Sequence, residues 1–182
     1  MAGWKDKRRV MQRYDLTAEI YEERYREEQK AKYEAALENL NTSNCAVLDV
    51  GCGSGLFFSH AADAKVLLGV DVSRKLLLKA KNQTRSFGNV FVLLADADHL
   101  PFREAFFDQV FAFTVLQNMP YPSETLNQLK MVVKIGGKVM VTGMKKFFSV
   151  STFMDALEEA GFRVVSFVDR EELKCYVAVL EA

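Results

Sequence analysis

Nothing in the sequence offers a membrane anchor, a disulfide framework or a metal cage. No run of about 18 apolar residues, the length a membrane-spanning helix needs, occurs in the chain. The N-terminal segment is heavily charged, which speaks against a signal peptide. The three cysteines, Cys45, Cys52 and Cys175, are an odd set without metal-type spacing. Reduced structural thiols in a cytoplasmic protein are therefore expected, with no metal site. Charge of one sign is lacking too, since Lys plus Arg and Asp plus Glu number 24 each. Net charge thus gives no pull towards nucleic acid or an anionic membrane. A local basic cluster, Lys5, Lys7, Arg8, Arg9 and Arg13, reads as solvated surface that could still meet an acidic or nucleic-acid substrate. Proline and glycine are both missing from residues 16–41, so that charged stretch reads as one long helix.

What is present fits one soluble domain. Apolar residues make up 49% and charged residues 26% of 182, ordinary values for a globular chain long enough to bury a full core. From residue 44 onward, apolar runs alternate with helical patterns, the rhythm of a parallel α/β sheet. Strands are expected near 45–50, 65–71, 89–95, 108–115, 137–143, 163–169 and 174–181, and helices near 55–63, 73–86, 122–134 and 150–160. Ser73 is a natural N-cap and Gly161 a natural C-terminal stop. The short break between the last two strands suggests an antiparallel hairpin.

Residues 47–57, Val-Leu-Asp-Val-Gly-Cys-Gly-Ser-Gly-Leu-Phe, are the most informative stretch. A short buried strand ends in an acid, and Gly51, Gly53 and Gly55 follow at every second position. Glycine is needed where the chain reverses sharply and where a ligand lies against bare backbone. A strand, a glycine turn and a helix N-terminus make a nucleotide-binding corner. The spacing is G-x-G-x-G, since Leu56 stands where the dinucleotide fingerprint has its third glycine. With Asp49 two residues ahead, this argues for a cationic ligand end near the loop and disfavours a nicotinamide-dependent oxidoreductase. Asp71 ends the second strand 16 residues after Gly55, near the offset at which a carboxylate meets a ribose diol.

On these residues the chain resembles the class I S-adenosylmethionine-dependent methyltransferases. Their acid-x-G-x-G-x-G motif is matched by Asp49, Gly51, Gly53 and Gly55, with Cys52 inside the loop. Gly-Val-Asp-Val-Ser (69–73), Ala-Asp-Ala-Asp-His-Leu-Pro-Phe (95–102), Phe-Asp-Gln-Val-Phe (107–111) and Ile-Gly-Gly-Lys-Val-Met-Val (135–141) resemble their later motifs in order. The resemblance implies S-adenosylmethionine as co-substrate, Asp71 on the ribose, Val72 as an apolar wall, Asp96 and Ala97 at the adenine, and Asp49 near the amino-acid end. It also implies a three-layer Rossmann-like α/β fold, with a seven-stranded, mostly parallel sheet and an antiparallel last strand.

The acceptor side should be 114–122, after the fourth strand, because ligands of open α/β sheets collect at the carboxyl ends of the strands. Gln117, Asn118 and Tyr121 are the candidates there, with Tyr21 from the N-terminal segment, while Thr114 at the head of the stretch is expected on the cofactor. Asn-Met-Pro-Tyr (118–121) resembles the Asn-Pro-Pro-Tyr of amino-group methyltransferases, with Met119 in place of a proline. Neither His60 nor His99 falls in this segment, and both read as structural. Transfer from a sulfonium needs alignment more than a base, so a nitrogen or sulfur nucleophile is slightly favoured. Tyr14, Ala18, Tyr21 and Tyr25 fall on one helical face. The order of residues 14–21 resembles a cofactor lid, which would bring Tyr21 and Tyr25 to the methionine end. The expected organisation is a helical extension or lid over 1–41 and a methyltransferase domain over 42–182. Within it stand three function readings: a methyltransferase acting on a small molecule, or on RNA or protein presented by an activating partner; an oxidoreductase; or a silent cofactor-binding subunit.

Overall fold

The computed structural model describes residues 2–38 and 40–182, apart from the side chains of residues 2 and 21–24. Seven strands form one sheet: β1 (Ala46–Val50), β2 (Val66–Asp71), β3 (Val90–Leu94), β4 (Phe107–Ala112), β5 (Val133–Met144), β6 (Arg163–Val168) and β7 (Cys175–Glu181). Their order is β3-β2-β1-β4-β5-β7-β6, with β7 antiparallel to both neighbours and the other pairings parallel. The strand order reverses between β1 and β4, which opens a crevice at their carboxyl ends. No helix among the described residues is long and apolar enough to cross a membrane.

Alternation along the strands divides the core in two. Leu48, Val50, Val110, Ala112, Val139 and Val141 pack beneath α4 (Pro122–Val132) and α5 (Val150–Glu159). Val47, Leu67, Phe111, Phe113, Met140 and Val177 face Tyr33 and Ala36 of α2 (Tyr21–Leu37), together with Leu77 and Ala80 of α3 (Arg74–Thr84). Ser73 caps α3, its Oγ accepting from Leu76 N at 3.2 Å. Gly161 stops the chain after α5 at φ +73°.

Three elements differ from the sequence expectation. The expected helix over 16–41 is two helices, α1 (Ala2–Thr17) and α2, with a break at 18–20. There Thr17 Oγ1 bonds back to Arg13 O at 3.0 Å, Ile20 N turns back to Thr17 O at 3.1 Å, and Ala18 is buried. The expected helix over 55–63 is a single 3-10 turn, Phe58–Ala61. Phe57 and Phe58 are both buried, and the Phe58 ring occupies the space beside Gly55 and Gly69, where a Cβ would come within 2.5 and 2.9 Å of it. Strand β4 ends at Ala112 rather than 115, because Thr114 turns into the left-handed region at φ +61°.

Helix α5 opens on a capping box in which Ser149 Oγ accepts from Thr152 N at 3.1 Å and Thr152 Oγ1 accepts from Ser149 N at 3.0 Å. Ser149→Ala should destabilise the fold by about 1 kcal/mol. The urea midpoint should fall with the slope of the transition unchanged.

Candidate active site

The chain leaves β1 under three glycines, Gly51, Gly53 and Gly55, at φ +73°, +56° and +85°. A Cβ on Gly51 would lie 2.6 Å from Val115 Cγ2, so bare backbone there is a packing requirement. The loop hangs from the end of β2. Gly51 N and Cys52 N donate to Val70 O at 2.8 and 3.0 Å, and Gly53 N donates to Asp71 Oδ2 at 2.8 Å. Asp71 Oδ1 accepts from Ser73 N at 2.7 Å. Burial raises the Asp71 carboxyl above its ordinary value, while the amides of Ser73, Gly53 and Val72 oppose that shift. Each carboxylate oxygen carries two lone pairs, so both retain capacity towards a diol.

A first cavity, with about 710 Å³ of empty space including its mouth, opens at this corner. Gly51, Gly53, Asp71, Val72, Asp96 and Ala97 line it, as do Thr114 and Asn118 from the far side. Its roof is α1, through Lys7, Val10 and Tyr14. Lys7 Nζ lies 2.7 Å from Asp96 Oδ2 and 2.5 Å from Asp98 Oδ2. Burial opposes the charge on Lys7, but the two carboxylates prevail and hold it above its ordinary value. A sequence reading that treats Lys7 as one member of a solvated basic cluster misses this inward contact.

A second, wider cavity of about 1520 Å³ adjoins the first and shares Tyr14, Thr114 and Asn118 with it. Thr114 is held from several directions. Its N donates to Thr142 Oγ1 at 2.7 Å, and its carbonyl accepts from Gln117 Nε2 at 2.6 Å and Asn118 Nδ2 at 2.8 Å. Its Oγ1 accepts from Lys32 Nζ at 3.2 Å. Lys32, 1% exposed, is also paired with Glu28 at 2.9 Å. Sequence reasoning missed Lys32, which looked like one more charge on a charged helix. Asn118 Nδ2 donates to Tyr14 Oη at 3.1 Å, and burial pushes the Tyr14 hydroxyl above its ordinary value, with Arg13 opposing. Tyr14 therefore stays protonated at neutral pH. Neither cavity has a histidine in its wall.

The remaining sequence candidates lie apart from the first cavity. Gly55 and Cys52 are buried behind the loop, and Tyr25 and Gln117 line the second cavity. Tyr121 is half-exposed, and its ring lies beside Gly3 of α1 rather than in either cavity wall. The side chain of Tyr21 lies outside the described residues. His60 packs against Tyr33, ring centroids 5.1 Å apart, and His99 is exposed. The described residues contain no group of three or more His, Cys, Asp or Glu placed to hold a metal.

The residues of the first cavity fit an adenosine-type ligand with a cationic end. Two carboxylates stand at the ends of adjacent strands, apolar walls lie between them, and glycine backbone bounds one side. Asp49, 2% exposed behind the loop, has an Oδ2 that is buried without a partner. Burial, then the charge of Asp71, pushes its carboxyl from 3.8 up to about 8.

The folded state therefore holds one proton more than the unfolded chain between about pH 4 and 8, and this contribution to stability falls as pH rises through that window. Asp49→Asn, neutral at every pH, should flatten the decline. Urea denaturation of both proteins from pH 4 to 9 measures it, and parallel curves would place the Asp49 proton elsewhere.

The family model described as a methyltransferase domain matches residues 48–141. The chain is 28% identical over 144 residues to a malonyl-[acyl-carrier protein] O-methyltransferase of a Marinomonas species, covering 77% of this chain and 53% of that one. It spans about half the length of the curated relatives it matches. Magnesium protoporphyrin IX methyltransferase from Synechocystis superposes with a TM-score of 0.82 at 16% identity, over 97% of both chains. The methyltransferase of a Haloferax volcanii complex with a methyltransferase activator superposes at 0.78 with 17% identity, over 93% of this chain and 97% of that one. With the family model covering just over half of its residues, on the strands and glycine loop that build the first cavity, the chain belongs to the class I S-adenosylmethionine-dependent methyltransferases.

Proposed function

We propose that this chain transfers a methyl group from S-adenosylmethionine, held in the first cavity, to an acceptor held in the second. The observation that carries this reading is the meeting of two cavities at Tyr14, Thr114 and Asn118. S-adenosylmethionine supplies an electrophilic methyl on a cationic sulfur. Asp71 would accept from the ribose hydroxyls, Val72 and Leu76 would flank the adenine, and Asp96 would accept from its amino group alongside Lys7. Gly51 and Gly53 leave room for the methionine end, and Asp49 behind them, protonated in the free protein, would give up its proton when the ligand's ammonium group arrives. Thr114, fixed by its hydrogen bonds, and Asn118 align the two reactants, which contributes by orientation rather than by proton transfer. The neutral Tyr14 hydroxyl is no base, so the acceptor attacks without one, and an amine nitrogen or a sulfur suits this best.

We also propose that a protein partner joins at β3. This edge strand exposes Phe91, Leu93 and Leu94, and an unprotected edge is one that a partner strand would cover. The structural likeness to a methyltransferase bound to its activator supports this reading.

Helix α1 would be the lid. The sequence resemblance to a lid covers 14–21 within a helical extension over 1–41, but Gln29, Lys32, Tyr33 and Ala36 of α2 are buried. Lys7, Tyr14 and Asp15 tie α1 down through side-chain contacts, the last by a 2.5 Å bond from Ser73 Oγ.

Calorimetry should show S-adenosylhomocysteine binding, with Asp71→Ala weaker by about 1–3 kcal/mol because the ribose hydroxyls lose their acceptor. Equal affinities would remove Asp71 from the site. In hydrogen exchange, the ligand should protect amides of Ala2–Thr17 far more than those of residues 29–37. Equal protection of α1 with and without ligand would make it a fixed roof.

A further inference from the structure

The second cavity is strongly imbalanced in charge, although the whole chain has no net charge. Arg13, Lys32, Lys145, Lys146 and Lys174 line it, against Glu28 as the single acid among the described residues. Lys32 and Lys174 share Glu28, each at 2.9 Å, and Lys145 meets Asp169 at 2.6 Å. Burial works against charge on Glu28, but those two lysines hold its carboxyl below the ordinary range, so it is ionised and already committed. Arg13 and Lys146 have no carboxylate partner among the described residues. The Arg13 guanidinium donates to Asn118 Oδ1 at 2.8 Å and lies over the Tyr14 ring at 5.0 Å. Lys146 Nζ lies 4.9 Å over the Phe147 ring. Arg13 also hydrogen-bonds the Tyr14 hydroxyl, and a guanidinium with five N–H groups keeps further donors suited to a carboxylate or phosphate.

We propose that the second cavity takes a small anionic acceptor, its carboxylate or phosphate held by Arg13 and Lys146 and its apolar body lying along Met144 and Phe147. This rests on the two-cavity reading above and adds the acceptor's chemical class. Cations gathered around a concave space repel one another and concentrate anions there. Arg13 also couples the bound anion to the transfer point, because it holds Asn118 and stacks on Tyr14 where the cavities meet. A small molecule fits better than a polynucleotide. The basic cluster on α1 is interrupted, since Lys7 points inward to Asp96 and Asp98 and Arg9 lies 3.4 Å from Asp6, which leaves Lys5 and Arg8 as its outward cations away from the cavity.

The test is calorimetry on the full chain at low ionic strength. The probes are citrate, inorganic pyrophosphate and a short polyuridine RNA, with S-adenosylhomocysteine titrated separately. Citrate or pyrophosphate should bind, and the tighter of the two tells carboxylate from phosphate. Arg13→Gln with Lys146→Gln should weaken that binding by about tenfold or more, whereas Lys81→Gln, on α3, should leave it unchanged. If the double variant has a lowered urea midpoint, Lys146→Gln alone carries the comparison. Equal binding by wild type and variant, no binding of either small anion, or tighter binding of the RNA would each overturn the proposal. Failure of the wild type to bind S-adenosylhomocysteine would instead sink the cofactor reading, and anion binding would still report on the cavity.

Discussion

The arrangement depends on Thr114 being held in the left-handed backbone region. A β-branched residue at φ +61° is strained, and such strain persists where the surroundings over-determine it. Here Thr142 takes its N–H, Gln117 and Asn118 take its carbonyl, and Lys32 takes its hydroxyl. The turn stops β4 and directs the chain into the 3-10 turn Leu116–Asn118. It thereby sets a wall between two cavities instead of extending a strand through them. The same hydrogen bonds tie α2 to the sheet, because Lys32 reaches Thr114 from the middle of that helix.

Electrostatics near the site are uneven. The β2 and β3 ends of the first cavity collect carboxylates, Asp71 and Asp96, with Asp49 behind the loop and one cation, Lys7, reaching in from above. The second cavity collects cations. A sulfonium-bearing ligand and an anionic acceptor would each enter the side whose charge suits it.

The sheet and the glycine corner were legible because their signals are local. Val47 to Val50 form a continuous apolar run, Ser73 is a cap directly after a strand, and Gly161 stands where a helix must stop. The helix expected after Gly55 failed for a tertiary reason. Phe57 and Phe58 are adjacent yet both buried, and Phe58 fills space left by two glycines, one of them on another strand. The break at 18–20 carries neither glycine nor proline, so composition gave no sign of it. Lys7 and Lys32 were illegible as site residues, because a lysine in a charged helix shows its orientation only once the helix is docked. Tyr121 is a different case: its ring lies beside Gly3 of α1 rather than in either cavity wall, a placement its motif does not reveal.

One helix roofs both chambers. Lys7 and Val10 close the first, Arg13 and Thr17 border the second, and Tyr14 belongs to both. A movement of α1 that opened one cavity would open the other as well, since the Asn118–Tyr14 hydrogen bond would have to break. If α1 is the lid proposed above, the two cavities would open together, and residence times of spent cofactor and methylated product would be coupled. The rate of that opening would then set a common upper limit on turnover, whatever the speed of the chemical step.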